Sequence, residues 1–274
     1  MSLVVRAKDI VKRRLGTGIA VPPSSEPYLV VAVLGQSNAH GAGIGLDPSG
    51  LDKPHPRVHQ WASSGRSKDT IVAGCDPLFH EVPSKAVGFA TTFGRNLAEA
   101  SGMPVLLVPY ARGDSAFARK YGISWDPADR GARVNLFWDA VARVKSGLAL
   151  NSENTLAAVL WHQGESDVPL TPGPVYAAKL DLVIDTLRAQ FGQVPFVIGQ
   201  MVPDEIESGH PDYPVIDAVH RDTPNRRRQV VYVEGPRGLY NGETEKIHYN
   251  AAGQRELGER MWAAFRAAAP VSEK

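Results

Sequence analysis

Residues 28–41, YLVVAVLGQSNAHG, join an uninterrupted apolar run to a polar turn rich in small residues. Seven apolar residues in succession predict a strand that is covered on both faces, as strands of parallel sheets are. Ser37 follows at the expected carboxyl end of this strand, between two amide side chains. Open parallel sheets bind their ligands at that edge, so Ser37 is a candidate functional residue.

Four more apolar runs of strand length follow, and helical patterns lie between them. The runs occupy residues 104–110, 155–161, 196–201 and 230–234. The last helical pattern carries an apolar stripe, Leu257, Met261 and Phe265, and Asn250 is a plausible N-cap. Alternating strands and helices predict an α/β fold, a three-layer α/β/α sandwich around a parallel sheet of about five strands. Residues 40–87 have little regular pattern and predict a long functional loop over the first strand.

Composition restricts the class of protein. The chain has 274 residues, a net charge of +1 and one cysteine, so it has no disulfide framework and no global field that favours nucleic acid. We expect an N-terminal arm and linker over residues 1–26 and one domain over residues 27–274. No apolar stretch is long enough for a membrane span and no secretory signal is visible, which predicts a cytoplasmic protein.

The N-terminal arm has an amphipathic pattern of apolar and basic residues. This pattern predicts packing on its own domain or on a second copy of the chain, which would give a homo-oligomer. A helix on a membrane surface is the alternative interpretation.

Three serines follow apolar runs and compete for the role of nucleophile: Ser37, Ser115 and Ser166. A serine hydroxyl needs a base, usually a histidine that is oriented by a carboxylate. His248 precedes the last helical pattern, and Glu245 lies three residues before it, so the two can meet within one short loop.

Four blocks occur in a fixed order: GQSNAHG (35–41), RGDSA (112–116), WHQGESD (161–167) and EKIHYNAAGQRELG (245–258). Together they resemble those of the SGNH-type (GDSL-like) hydrolases. The most similar branch is that of the sialate O-acetylesterases and acetylxylan esterases, carbohydrate esterase family 6. The resemblance covers roughly residues 28–268 and implies the flavodoxin-like fold of SGNH hydrolases.

The resemblance also implies roles for individual residues. Ser37 matches the nucleophile and His248 the base. Gly113 matches the glycine whose backbone N–H helps to bind the oxyanion, together with the N–H of Ser37. Gln163 matches the side-chain amide that completes the oxyanion hole. In this comparison Ser115 and Ser166 belong to the second and third blocks and are not the nucleophile.

The acid of the triad is left open by the sequence. Glu245 stands where the family commonly has aspartate, and its extra methylene changes the reach of the carboxylate. Some relatives use the glutamate of the third block instead, which is Glu165 here.

These features predict a serine esterase that removes small acyl groups, acetyl above all, from a small-molecule or carbohydrate ester through an acyl-enzyme. One alternative is an acyltransferase that moves the acyl group to or from a sugar hydroxyl, and a second is a non-catalytic carbohydrate-binding domain. No metal or cofactor is expected, because no zinc-binding or phosphate-binding motif is present.

Overall fold

The computed structural model describes residues 17–268. The amphipathic residues 1–16, and any subunit contact made through them, lie outside the described residues. The strands of the described part are β1 (Leu29–Gly35), β2 (Val58–Trp61), β3 (Ile71–Ala73), β4 (Val105–Ala111), β5 (Ile123–Ser124), β6 (Val134–Asn135), β7 (Thr155–His162), β8 (Phe196–Gly199) and β9 (Val230–Val233).

The helices alternate with the strands along the chain. They are α1 (Ser37–His40), α2 (Ala90–Ser101), α3 (Leu136–Leu148), α4 (Gly173–Phe191), α5 (Pro203–Ser208), α6 (Tyr213–Arg226) and α7 (Ala251–Ala268). Among these helices, none is long and apolar enough to cross a membrane.

The main sheet has seven strands in the order β3-β2-β4-β1-β7-β8-β9. The five strands predicted from apolar runs are neighbours in it and are all parallel. The first of the five lies between the second and the third, which is the flavodoxin-like order and places a switch point beside β1. The predicted α/β sandwich is therefore confirmed.

The prediction of a structureless loop over residues 40–87 is wrong. This segment contains β2, which pairs parallel with β4, and β3, which pairs antiparallel with β2, so the sheet has seven strands and not about five. Both strands are short, and β2 contains His59 and Gln60, so no apolar run marks them. Tertiary contacts stabilise β2 instead: the Gln60 amide donates to Ala73 O at 2.9 Å and accepts from Phe79 N at 2.8 Å.

Alternate residues of β1 face two apolar layers. Val30, Ala32 and Leu34 pack with α3, α4 and α6, whereas Val31 and Val33 pack with α2 and α7. The predicted stripe of α7 lies in the second layer. A continuous apolar run is required because neither face of the strand meets water.

The last helix begins as predicted. Asn250 Oδ1 accepts from the N–H of Gly253 at 2.9 Å, which is the N-cap interaction expected from the sequence. By contrast, α5 and α6 were not predicted, because the polar segment between β8 and β9 shows no clear apolar stripe.

Candidate active site

The site begins where β1 ends. Gly35 has φ +130°, and any Cβ there would overlap the carbonyl oxygen of His162, so only glycine fits. The next N–H, of Gln36, donates to the same carbonyl at 2.9 Å. The chain then turns directly into α1, so Ser37 stands as its first residue beside the end of β7.

The side chain of Gln36 binds this turn to residues 163–166 of the third block. Its Oε1 accepts from the N–H groups of Gly164 and Ser166 at 3.3 and 3.2 Å, and from Gln163 Nε2 at 3.3 Å. The side chain is 2% exposed. The amide before Ser37 therefore has a structural role that fixes two loops to each other.

Asn38 braces the other side of the serine. Its Nδ2 donates to Glu165 Oε1 and to Ile247 O, both at 3.0 Å, and its Oδ1 accepts from Tyr249 N at 3.1 Å. The two backbone partners flank His248. One buried side chain thus holds the histidine loop against the helix that carries the serine.

The imidazole of His248 is held by Glu245. Its Nδ1 lies 2.8 Å from Glu245 Oε1, and the two side chains are 22% and 46% exposed. The N–H of His248 also donates to Glu245 O at 3.3 Å, within one turn. The longer glutamate side chain therefore reaches the imidazole in spite of its extra methylene.

Glu165 has a different environment. It is 4% exposed, its Oε1 accepts from Asn38, and the same oxygen lies 3.5 Å from His162 Nδ1. Of the two candidate carboxylates, Glu245 thus contacts the imidazole ring of His248, and Glu165 contacts the side-chain amide of Asn38.

The hydroxyl of Ser37 makes no hydrogen bond to a protein group within residues 17–268. His248 Nδ1 is engaged by Glu245, which directs the proton-accepting role to Nε2. Nucleophile–base hydrogen bonds commonly tighten only once substrate is bound. The structure joins α1, which begins with Ser37, to the loop of His248 through the Asn38 side chain, and the catalytic pairing of Ser37 with His248 stays a prediction.

Neither the N–H of Ser37 nor that of Gly113 donates to a protein acceptor within residues 17–268. A methyl group at Gly113 would lie 3.9 Å from Ser37 Cβ and would meet no other atom within 4 Å. Gly113 is not among the residues with a positive φ, so neither packing nor backbone conformation requires a glycine at this position. Its missing side chain leaves open space next to the serine.

Gln163 faces the interior. It is fully buried, its Nε2 donates to Asp167 Oδ2 at 2.7 Å, and its Oε1 accepts from the Tyr176 hydroxyl at 2.9 Å. Burial raises the pKa of Asp167, and hydrogen bonds, that from Gln163 among them, oppose this. The structure gives the Gln163 amide a carboxylate partner, so its role as an oxyanion donor stays a prediction. Sequence reasoning missed Asp167, although it ends the third block.

The hydroxyls of the other two candidate serines are hydrogen-bonded to protein groups. Ser115 is 2% exposed, donates to Arg112 O at 2.6 Å and accepts from Trp125 Nε1 at 2.9 Å. Ser166 Oγ lies 3.4 Å from Asp114 Oδ1. Neither hydroxyl is hydrogen-bonded to a histidine of the described residues.

His162 of the third block is not a competing base. It is fully buried, its Nε2 lies 2.7 Å from Gln200 O, and burial lowers its pKa. Because a carbonyl oxygen only accepts, Nε2 carries the proton. The ring packs against Phe89 and Tyr249 and belongs to the floor of the site.

An open pocket of about 370 Å³ lies directly beside Ser37. It is lined by the end of α1 and the residues after it, by the segment before α2 and by the second block: His40, Gly41, Ala42, Val82, Pro83, Lys85, Ala86, Arg112 and Gly113. Nowhere in the described chain do three or more histidine, cysteine or acidic side chains form a group that could hold a metal ion.

Comparison with known proteins gives three consistent findings. A family model described as "Carbohydrate esterase, sialic acid-specific acetylesterase" matches residues 28–267. The "Probable 9-O-acetyl-N-acetylneuraminic acid deacetylase" of Escherichia coli (strain K12) is 28% identical over an alignment of 204 residues, and the match covers 62% of this chain and 63% of that protein.

Two solved structures share the fold. The crystal structure of NanS matches with a TM-score of 0.75 and 22% identity, over 90% of this chain and 98% of that one. A protein from Arabidopsis thaliana matches with a TM-score of 0.71 and 20% identity, over 88% of this chain and 99% of that one.

Proposed function

Because this chain belongs to the carbohydrate esterase family described as sialic acid-specific acetylesterases, we propose that it hydrolyses short acyl esters, above all acetyl esters, of a carbohydrate. Ser37 is the nucleophile, His248 the base and Glu245 the acid of the proposed site. The name of the Escherichia coli relative makes an O-acetylated sialic acid the first substrate to test.

One observation carries the proposal. The loops at one edge of the sheet carry a serine hydroxyl without a protein partner in the described chain, a histidine whose Nδ1 contacts a carboxylate, and two backbone N–H groups without a described acceptor, which supports this proposal. Acyl transfer requires a nucleophile, a base and preorganised donors for the oxyanion. The hydroxyls of Ser115 and Ser166 are already hydrogen-bonded to protein groups, which favours Ser37 as the nucleophile.

The proposed reaction has two halves. Ser37 Oγ attacks the ester carbonyl carbon while His248 Nε2 takes its proton, and the Glu245 carboxylate stabilises the imidazolium. The carbonyl oxygen becomes an oxyanion that accepts from the N–H groups of Ser37 and Gly113. The sugar oxygen leaves with the proton from His248, and the acyl group stays on Ser37.

In the second half, water takes the place of the sugar. His248 removes a proton from the water, the hydroxide attacks the acyl carbon, and Ser37 leaves with the proton that His248 returns. Acetate and free enzyme result, so no cofactor is consumed.

The test is turnover of p-nitrophenyl acetate and of an O-acetylated sialic acid without an added acceptor. We expect turnover, labelling of Ser37 by a fluorophosphonate, and no effect of EDTA. Turnover that requires a sugar acceptor would support an acyltransferase. Sugar binding without turnover or labelling would support the non-catalytic alternative, and a rate lost in EDTA and restored by a divalent metal would contradict the mechanism.

A further inference from the structure

The pocket beside Ser37 has the size and position of a substrate site. Its volume of about 370 Å³ is in the range of small-ligand pockets, about 300–1,000 Å³. In its wall, His40 is the last residue of the helix that Ser37 begins, Gly41 and Ala42 follow that helix, and Gly113 carries one of the N–H groups without a described acceptor. A molecule whose ester lies at Ser37 therefore extends directly into this pocket.

The charged residues in the wall of the pocket are all basic. Arg112 is paired with Glu81 at 2.6 Å, and its side chain is 14% exposed, so its charge is largely offset. Lys85 is exposed and makes no ion pair with any residue described between positions 17 and 268. A lysine ammonium is charged at neutral pH, so this pocket carries one uncompensated positive charge.

Lys85 stands on a segment that is fixed against α1. The Ser84 hydroxyl donates to Gly41 O at 2.8 Å, and the N–H groups of Gly43 and Val87 donate to each other's carbonyl oxygens at 3.0 and 3.1 Å. These bonds hold the residues on both sides of Lys85. The base of the lysine side chain is therefore held at a set place in the pocket wall.

The carboxylates of Asp114 and Glu245 have partners of their own. Asp114, which follows Gly113, is paired with Lys120, and Glu245 is hydrogen-bonded to His248. The charge of Asp114, like that of Arg112, is offset by its partner, whereas Lys85 has no ionic partner among residues 17–268. An anionic group of a substrate is therefore attracted toward Lys85.

We propose that this pocket binds the carboxylate end of an acidic sugar ester, with Lys85 supplying the charge that recognises it, while the acetyl group lies at Ser37. An O-acetylated sialic acid is such a substrate. This inference rests on the proposed function. It adds that the pocket wall that contains Lys85 recognises the carboxylate of the substrate.

The experiment compares three substrates: 9-O-acetyl-N-acetylneuraminic acid, the methyl ester of its carboxylate, and p-nitrophenyl acetate. We expect the wild type to prefer the free acid to the methyl ester in kcat/KM. Lys85→Ala should lower kcat/KM for the free acid about threefold to fivefold, the size expected of a partly solvated ion pair. Lys85→Glu should lower it further, and both variants should lower kcat/KM for the free acid by a larger factor than for the two uncharged substrates.

Two controls sharpen the comparison. Lys145→Ala removes an exposed lysine on α3 whose Nζ bonds Gln190, and it should leave all three rates unchanged. The preference for the free acid should shrink as salt is raised, because salt screens exposed charges.

The outcomes separate this inference from the proposed function. Equal rates on the free acid and the methyl ester, or a Lys85→Glu variant with unchanged selectivity, would overturn the carboxylate pocket while the esterase assignment stands. Absence of turnover on all three substrates would overturn the proposed function itself. An equal loss on charged and uncharged substrates would show that Lys85 only supports the structure.

Discussion

At the scale of single residues, hydrogen bonding separates the three serines. The hydroxyls of Ser115 and Ser166 have protein partners, whereas that of Ser37 has none in the described chain. A hydroxyl that is not needed for packing or capping is the one that substrate can use. This difference is independent of the motif that first singled out Ser37.

Replacement of Ser37 by alanine should abolish catalysis without loss of stability. We expect kcat to fall by about 10³-fold or more, because only binding and the oxyanion donors would remain. The thermal midpoint should stay near that of the wild type. A Ser37→Ala enzyme with near-normal turnover would contradict the assignment.

Ser115→Ala is the matched comparison and should show the opposite pattern. It removes the acceptor of the buried Trp125 Nε1 and a donor to Arg112 O, which should lower the free energy of unfolding by about 1–3 kcal/mol. Urea unfolding measures this loss, and fluorophosphonate labelling of the folded fraction should persist. Abolished labelling in a stable Ser115→Ala enzyme would reopen the choice of nucleophile.

The two candidate acids should respond differently to loss of charge. Glu245→Gln removes the carboxylate that holds His248 Nδ1 and should lower kcat about 10-fold to 100-fold, less than for a fully buried acid because Glu245 is half exposed. Glu165→Gln retains an acceptor for Asn38 and should lower kcat less. Measurement of kcat for both variants under steady-state conditions shows which carboxylate is the acid of the triad.

The opposite ranking would make Glu165 the acid of the triad. If neither variant is impaired, the enzyme works as a Ser–His dyad. If both are strongly impaired at unchanged stability, the carboxylates share the role, and a structure with a phosphonate adduct must assign them.

Gln163→Ala tests the role that the structure leaves open. An oxyanion donor acts in the transition state, so its loss should lower kcat by about 10²–10³ with little change in KM. The variant also removes a donor to the buried Asp167, and the thermal midpoint measures that part. A change in KM alone would mean that Gln163 only binds the ground state.

At the scale of elements, the site depends on how three loops are tied together. Gln36 fixes the turn before α1 to the third block, and Asn38 fixes α1 to the loop before α7. These braces belong to elements that are far apart in the chain. The loops that carry Ser37 and His248 are therefore joined by amide side chains, and not by a hydrogen bond between Ser37 and His248 among the described residues.

Asn38→Ala should impair both stability and catalysis. It removes the partner of the half-buried Ile247 O and that of the buried Tyr249 N, and we expect the free energy of unfolding to fall by about 2–4 kcal/mol. The kcat of the folded enzyme should fall as well, because the His248 loop loses its anchor. Asn225→Ala, on the exposed face of α6, is the control and should change neither.

At the scale of the whole molecule, the segment between α1 and α2 is part of the sheet and carries a buried acid. Asp76 accepts from Gly88 N at 3.1 Å and from Thr91 Oγ1 at 2.6 Å, and burial raises its pKa to about 7. A raised pKa in the folded state means that folding favours the protonated carboxyl. Its contribution to stability is full below the unfolded value near 3.8 and is lost as pH rises through about 7.

Comparison with Asp76→Asn isolates this contribution. As pH falls from 8 to 5, the free energy of unfolding of the wild type should rise relative to that of the variant, by about 1 kcal/mol or more. Urea unfolding of both proteins at each pH measures the difference. Parallel pH profiles would show that Asp76 does not titrate in this range.

The fold was predictable where a strand or helix has a clear apolar pattern in its own residues. The five parallel strands and helices α2, α3, α4 and α7 follow from apolar runs and stripes. The strands β2 and β3 and the helices α5 and α6 do not, because their side chains are polar or their runs are short. Their stability comes from partners elsewhere in the chain, such as those that bind the Gln60 amide.

The parallel sheet, the position of Ser37 at the end of β1 and the blocks that carry the candidate site follow from the residues of each segment. The partners of the polar side chains became visible only in the folded chain: Glu245 meets the imidazole of His248, Glu165 meets Asn38, and Gln163 meets Asp167. Periodicity and backbone conformation are local, whereas the partner of a polar side chain depends on how loops from separate strands close over the same edge of the sheet.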